Sequence, residues 1–466
     1  MNIYRNVNED YMNGAAIRGK ANVLELNKQY HLRTRPQKVM LVVMPYDGEV
    51  CDDVTEKFFK NQAVKYMPLG VLSIAASIPD KHEVKVLDAS SLGLTIEETI
   101  ERIEAYKPDI LGLSVVTYRA WQMVEILRRT SAPFKAVGGP HTTHNYRSVA
   151  EQGADAVFVG DAEISFPKWI ADGCPPGIYF GGAIPLDNIP LPARYLLDME
   201  DYKIEKNKDL LFDVGNLRLP LYSSKGCPLK CIYCDVQQKS FNFKSPEVIV
   251  REFQDIISLG ATSIHILDDA FNIRKKRIQQ MSQAIISSDI KIDWSARGTV
   301  EVREDLIAAL AEAGCKRLHV GIEALDDKIL EYYKKSCRLR DIERFARLCT
   351  KYNIAILGYF IIGAPSEVES LQYRKDLPKR IEDLGIPLPF FNVLTPLNET
   401  PLYYTMLRNG QIPHDYWKEF CKNPVRNWVI PRYHRSIEEE KELRAIVDSY
   451  VDYFFRKRES MLKFVS

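Results

Sequence analysis

Gly226-Cys227-Pro228-Leu229-Lys230-Cys231-Ile232-Tyr233-Cys234-Asp235 is the stretch around which this chain is organised. Its three cysteines stand in a Cys-x-x-x-Cys-x-x-Cys spacing. Thiolates are the usual ligands of iron–sulfur clusters. Three of them on a four-iron cluster leave one iron open, and an open metal position is where chemistry happens. A structural zinc site would want a fourth ligand at a familiar spacing, and no second Cys or His pair follows. Leu219-Pro220-Leu221-Tyr222-Ser223-Ser224 reads as a strand just before the cysteines, which puts them on a loop that a scaffold presents to a ligand.

Downstream, strands and helices alternate. Ser245-Pro246-Glu247 starts a helix that ends at Gly260. Ser263–Leu267 is a strand leading to Asp268-Asp269, and Ile292–Arg297 another leading to Gly298. Arg317–Glu323, Ala355–Ile362 and Phe390–Thr395 complete the strand series. The pattern predicts a βα barrel with its active groups at the strand carboxyl ends.

Upstream the same alternation occurs independently. Val39–Met44 is a continuous apolar run, the mark of a strand buried on both faces. Further strands are read at Val84–Asp88, Ile110–Val115, Lys135–Gly139 and Ala156–Gly160. Helices follow Met67-Pro68-Leu69-Gly70 and the capping box Thr95-Ile96-Glu97-Glu98. This predicts a doubly wound parallel sheet, which binds ligands at the carboxyl ends of its strands. Between the two halves Pro185–Tyr195 is proline-rich and unsuited to a regular helix or central strand, so it reads as a stiff spacer. At the other end, Leu443, Ile446, Val447, Tyr450, Val451 and Phe454 form a helical stripe for packing on the barrel.

The cysteine stretch resembles the signature of the radical S-adenosylmethionine (SAM) enzymes. That resemblance implies a 4Fe-4S cluster on Cys227, Cys231 and Cys234, with SAM chelating the open iron. It puts Tyr233 beside the adenine and Asp268 or Asp269 where the family receives the SAM amino group, although the usual Gly-Gly-Glu is absent. Ser295, Arg297 and Glu323 match strand-end positions that contact SAM, the alternative for each being a salt bridge at the barrel rim. His319, mid-strand, reads as a satisfied core histidine. A partial (β/α)6 barrel is implied.

The upstream half resembles the cobalamin-binding domain of one large radical SAM subfamily. The matching residues are Leu69, Gly70, Ser114, Thr117, Tyr118, Gly138, Gly139, Pro140, His141, Gly160 and Asp161. Paired glycines would let the backbone approach a flat corrin. The axial-histidine loop of other cobalamin domains is missing: Asp80-Lys81-His82 lacks the glycine and precedes the second strand. No histidine is therefore expected on cobalt.

The expected organisation is an N-terminal extension (1–36), a cobalamin-binding domain (37–172), a connector (173–215), a radical SAM barrel (216–415) and a C-terminal helical region (416–466). The resemblance implies a methyltransferase acting on an unactivated carbon, with a peptide or protein side chain preferred over a small molecule as acceptor. It also implies a low-potential donor, ferredoxin or flavodoxin. A non-methylating oxidation, cyclisation or ring contraction is the first alternative, and a non-catalytic cobalamin or redox sensor the second. Composition agrees with a globular enzyme: 466 residues, 46% apolar, 27% charged, net charge +1. Bulk charge suggests no nucleic-acid or membrane partner. No apolar run approaches the roughly 18 residues of a spanning helix. The start of the chain lacks the apolar core of a signal peptide. Nine cysteines without secretory pairing point to a reducing cytoplasm. Cys51, Cys174, Cys315, Cys337, Cys349 and Cys421 read as inert thiols.

Overall fold

The computed structural model of the chain describes residues 35–46, 66–182, 184–203, 217–236, 241–300 and 303–462. Most of the expected N-terminal extension, Cys51 and the end of the connector lie outside them. The chain divides into two units. One comprises Met1–Lys203 with Asp415–Pro431, the other Ile204–His414 with Arg432–Ser466.

The first unit is a parallel sheet of six strands: β1 (Lys38–Val43), β2 (Glu83–Asp88), β3 (Ile110–Ser114), β4 (Phe134–Gly138), β5 (Ala156–Val159) and β6 (Gly177–Phe180). Their order is β2-β1-β3-β4-β5-β6. Val39, Leu41 and Val42 of β1 are buried, as its unbroken apolar run demands. Helices α1 (Leu69–Ser77), α2 (Ile96–Tyr106), α3 (Ala120–Arg129), α4 (Pro140–Glu151) and α5 (Ser165–Ala171) make the crossovers. The capping box at Thr95 is present: Glu98 N–H donates to Thr95 Oγ1 at 3.2 Å and Thr95 N–H to Glu98 Oε2 at 2.8 Å. Strand order reverses between β1 and β3, the switch point where such sheets open a ligand crevice.

Strand β6 corrects the sequence reading, which gave residues 173–215 wholly to a connector. Gly177–Phe180 pairs in parallel with Ala156–Val159 and extends the sheet. It is only four residues long, too short for a periodic signal. The proline-rich segment beyond it forms isolated 3-10 turns pinned to the same unit, with Ala193 N–H on Leu72 O and Tyr202 Oη on Asp88 Oδ2 at 2.6 Å.

In the second unit six parallel strands lie in the order β14-β13-β12-β11-β10-β7. They are β7 (Arg218–Leu221), β10 (Ser263–Ile266), β11 (Asp293–Gly298), β12 (Cys315–Glu323), β13 (Ala355–Ile362) and β14 (Leu388–Val393). The first and last strands form its two edges, as in a partial barrel. Two further strands, β8 (Ser224–Lys225) and β9 (Asn242–Phe243), pair antiparallel and join the base of the cysteine loop. Helices α6 (Pro246–Ser258), α7 (Lys275–Ser287), α8 (Glu304–Glu312), α9 (Asp327–Tyr332), α10 (Leu339–Lys351) and α11 (Leu371–Asp383) cover the sheet, and α12 (Pro401–Arg408) follows β14. Trp294 points out of the strand into this layer, against Phe253 and Phe271, and donates to Ala313 O at 2.7 Å.

The chain end, expected as one helical region over residues 416–466, is divided between the units. Helix α13 (Tyr416–Lys422) belongs to the first, where Gln152 Nε2 donates to Cys421 O at 2.9 Å. Helix α14 (Ile437–Leu462) belongs to the second. It packs Tyr450 and Phe454 on Phe391 of β14. Leu443, Val447, Tyr450 and Phe454 of the expected stripe are buried, while Val451 faces solvent.

Candidate functional site

The cysteine loop leaves the carboxyl end of β7 and is held by backbone bonds at several points. Asp268, fully buried at the end of β10, accepts from Ser223 and Ser224, from both backbone N–H groups and both hydroxyls, at 2.5 to 2.9 Å. Arg277 stands 3.7 Å behind it and also donates to Ser223 Oγ. Asp269, exposed beside it, accepts from Gly226 N–H at 2.9 Å through Oδ2. In the middle of the loop Ile232 N–H donates to Tyr333 O at 3.2 Å, and Ile232 O accepts from Leu402 N–H at 2.8 Å. Three distant parts of the barrel thus set the path of one short loop.

Cys227 is buried, and Cys231 and Cys234 are half-buried. Burial pushes the Cys234 thiol up to about 11; the Val236 N–H opposes this, and Asp235, Cys231 and Cys227 reinforce it. A thiol held up in this way ionises readily only against a cation, and iron would supply one. Among the described residues no three His, Cys, Asp or Glu side chains converge as ligands of a single ion. A four-iron cube takes each thiolate at a separate corner, so the donor set fits a cluster rather than a lone ion. The other described cysteines, Cys174, Cys315, Cys337, Cys349 and Cys421, are buried.

The remaining barrel residues fall at two depths. Tyr233 packs edge-on against Tyr333, with ring centroids 5.5 Å apart, and its hydroxyl bonds Glu323. Glu323 ends β12 with φ of 69° and meets Lys335 Nζ at 3.4 Å. Arg297 is half-buried near the end of β11. Ser295, expected beside SAM, lies deeper, its Oγ 2.6 Å from His265 Nδ1. His265 in turn lies 4.5 Å from the His319 ring. His319 is a core residue, as expected, but it is not fully satisfied: Nδ1 is 3.4 Å from Tyr359 Oη and Nε2 has no partner among the described residues. Burial drives both imidazoles well below their ordinary pKa, assisted at His265 by Arg297, Arg317 and Arg218 and at His319 by His265 and those arginines.

In the first unit the expected residues gather at the carboxyl ends of β3, β4 and β5. Gly139 has φ of 98°, and a Cβ there would stand 2.7 Å from Val115 N and 2.8 Å from Val115 O. The close approach that requires Gly139 is therefore to the protein's own backbone. Gly138 is different, since its Cβ would make only an ordinary 3.8 Å contact with Phe158, and a Cβ at Gly70 would meet nothing within 4 Å. Leu69 is buried at the start of α1, while Gly70 and Pro140 are exposed. Ser114, Thr117, Tyr118 and Asp161 are half-buried, and Gly160 is exposed. His141 is fully buried at the start of α4, with Nδ1 3.3 Å from Thr117 Oγ1. Its burial, with His144 adding to it, lowers its pKa to about 4. Nε2 of His141 has no partner among the described residues, an orphaned polar atom that an amide-rimmed ligand such as a corrin would satisfy. His82 lies ahead of β2, accepts from Gln37 N–H at 3.2 Å, and has no place at this edge.

Sequence reasoning missed two contributors here. Gly181 follows β6, and a Cβ on it would stand 1.7 Å from Asp161 O. Trp417 of α13 is buried and packs edge-on against Tyr118 with ring centroids 6.0 Å apart. The glycine pair Gly181-Gly182 was a usable signal; nothing local marked Trp417.

Residues 61–169 match the B12 binding domain and residues 221–372 the radical SAM superfamily. The chain is 26% identical, over 84% of its length and 88% of the relative's, to a protein of Pyrococcus horikoshii named as an uncharacterized methyltransferase. Among solved structures it resembles the cobalamin-dependent SAM radical enzyme OxsB with aqua-cobalamin bound. There the TM-score is 0.62 and the identity 16%, over 81% of this chain and 61% of that one. It also resembles TsrM of Kitasatospora setae with cobalamin and a [4Fe-4S] cluster bound. There the TM-score is 0.59 and the identity 17%, over 81% and 79% of the two chains. The chain spans about three-fifths of the OxsB length. It is a two-cofactor α/β protein, with a cobalamin-binding sheet in one unit and a radical SAM barrel in the other. A B12 binding domain and a radical SAM domain on one chain call for cobalamin, a 4Fe-4S cluster and SAM as cofactors.

Proposed function

We propose that the chain methylates an unactivated carbon atom, and that this carbon belongs to a peptide or protein side chain. The observation that carries the reading is the combination, on one chain, of a clamped three-thiol loop at a barrel strand end and a glycine-lined sheet edge with an orphaned imidazole nitrogen. The peptide acceptor rests on analogy alone, and the assay below decides it. When bound, the cofactors supply an electron and a methyl group.

The chain's own residues bind and orient. Cys227, Cys231 and Cys234 would hold three irons. Tyr233, braced by Glu323 and Tyr333, would flank the adenine. Of the two aspartates, Asp269 would receive the SAM amino group, because Asp268 is committed to Ser223 and Ser224. Arg297 would donate to the SAM carboxylate. Ser295 would act through His265 from below. At the other cofactor Leu69, Gly70, Ser114, Thr117, Tyr118, Gly138, Pro140, Gly160 and Asp161 would line the corrin. His141 would bond a corrin amide, with no histidine on cobalt. A ferredoxin or flavodoxin would deliver the electron.

The test uses anaerobically reconstituted protein, methyl-deuterated SAM and candidate peptides. The expected product gains one labelled methyl group on carbon, only when cobalamin is present. A product of unchanged or lower mass would move the assignment to a non-methylating oxidation or cyclisation.

A further inference from the structure

Behind the cysteine loop, the turn after α9 carries a lysine that no part of the SAM site uses. Lys335 lies two residues beyond Tyr333, whose carbonyl binds Ile232 N–H in the middle of the cysteine loop. Its ammonium meets Glu323 Oε1 at 3.4 Å, and the two side chains are only 8% and 7% exposed. This is a buried ion pair rather than the rim salt bridge that was the alternative to a SAM contact for Glu323. The backbone is shaped around the pair. Glu323 adopts left-handed φ where the β12–β13 register shifts, and Lys334 has φ of 54°. Gly321 leaves the room, because a Cβ there would stand 2.3 Å from Glu323 Oε1 and 3.4 Å from Lys335 Nζ. Left-handed conformations at a glutamate and a lysine cost free energy and persist where the surroundings over-determine them.

A buried ammonium is costly unless it faces negative charge. Burial disfavours the charge of Lys335, but Glu323, then Cys231 and Cys337, favour it, and its pKa ends above the ordinary lysine value. Glu323 alone would give a neutral pair. Cys231 adjoins Ile232, which the Tyr333 carbonyl holds two residues from Lys335, and as an iron ligand it would be a second negative charge in electrostatic reach of the ammonium.

We propose that Lys335 is a positioning residue for electron transfer, its fixed positive charge behind Cys231 raising the reduction potential of the cluster. The proposal rests on the reading of Cys227, Cys231 and Cys234 as cluster ligands. Reduction adds one negative charge to the cluster, and a cation held nearby in a poorly polarisable interior stabilises that added charge. Charge and hydrogen bonding around the sulfurs are recognised determinants of cluster potential. Glu323 acts in the opposite sense, so the pair brackets the potential from both sides.

The experiment is a potentiometric titration, followed by electron paramagnetic resonance, of the reconstituted full-length protein without SAM. Lys335→Met should keep its iron and become harder to reduce. At the wild-type midpoint its reduced-to-oxidised ratio should fall about tenfold, equivalent to about 59 mV for one electron. Lys335→Arg should titrate close to wild type. Wild-type potential in Lys335→Met at full iron content would overturn the proposal. Should that variant lose its iron, Glu323→Gln decides. It leaves the ammonium unopposed and must raise the potential, and an unchanged or lowered value refutes the idea. A wild-type protein that assembles no cluster would instead refute the cysteine assignment.

Discussion

The two candidate cofactor edges are built by opposite means. In the first unit the edge is made of backbone. Gly139 and Gly181 are required because carbonyl and amide groups of neighbouring loops pass where their side chains would be. His141, the buried imidazole there, is neutral. In the second unit the edge is made of charge. Asp268 saturates two serines, Asp269 holds Gly226, and Glu323 faces Lys335. A backbone-built edge suits a broad, nearly neutral ligand recognised by shape. A charge-built edge suits a small cluster and a zwitterion, whose charges change during turnover. The lesson is that an identical alternation of strand and helix can be finished in either way, and the finishing residues carry the chemistry.

The largest effect should separate the two edges completely. Changing Cys227, Cys231 or Cys234 to alanine should remove most iron and all SAM cleavage while cobalamin binding stays at the wild-type level. Iron assay and the cobalamin absorption spectrum, taken on the same sample, check this. Full iron in the triple variant would end the cluster assignment.

Next in size is Asp268→Ala. It strands four buried donors, each worth about 1–3 kcal/mol when left unpaired, so the loop should lose its fixed path. Iron retention should fall at least tenfold, the scale of outer-shell effects at metal sites. Asp269→Asn should keep iron but weaken SAM binding. Equal iron loss in both would erase the distinction drawn between the two aspartates.

The glycine pair sharpens the comparison from the other side. Gly139→Ala should destabilise the first unit by about 2 kcal/mol or more, because the strain is within the protein. Gly138→Ala should stay within about 1 kcal/mol of wild type, and Gly138→Trp should exclude cobalamin without unfolding. Calorimetry with cobalamin titration reads both. Equal destabilisation by the two alanines would remove the argument that Gly138 is reserved for a ligand.

The smallest effect is one of pH. His141 is lowered from 6.5 to about 4 in the folded chain, so the unfolded chain binds the extra proton first. Its contribution to stability is intact above about pH 6.5 and is lost as pH falls toward about 4, at up to about 1.4 kcal/mol per pH unit. His141→Gln should flatten that part of the stability profile of the first unit. An unchanged slope would show that other groups carry it.

Much of this was legible in local sequence. Val39–Val43, Ala355–Ile362 and the Thr95 capping box announce themselves, because burial on both faces and helix capping depend on residues close in the chain. The cysteine spacing is equally local. The elements missed were those whose partners are remote. Strand β6 is four residues long and exists by pairing with β5. The β8–β9 ladder exists only because the two ends of a loop meet.

Two αβ units, the order of their longer strands along the chain, the thiol triad and the glycines can be read from the residues alone. These follow from periodicity, turn chemistry and ligand spacing, all of which act over a few residues. The packing of whole elements sets Asp268 to brace the loop through both serines and Asp269 to hold Gly226 N–H, and puts Ser295 below the site against His265. It also decided that residues 415–431 return to the first unit and seat Trp417 on Tyr118. It brought Lys335 to Glu323 over a glycine that makes room for both. The physical reason is the same in each case. A hydrogen bond or ion pair forms where burial leaves a polar group no alternative, and which groups are buried together is settled by the packing of whole elements.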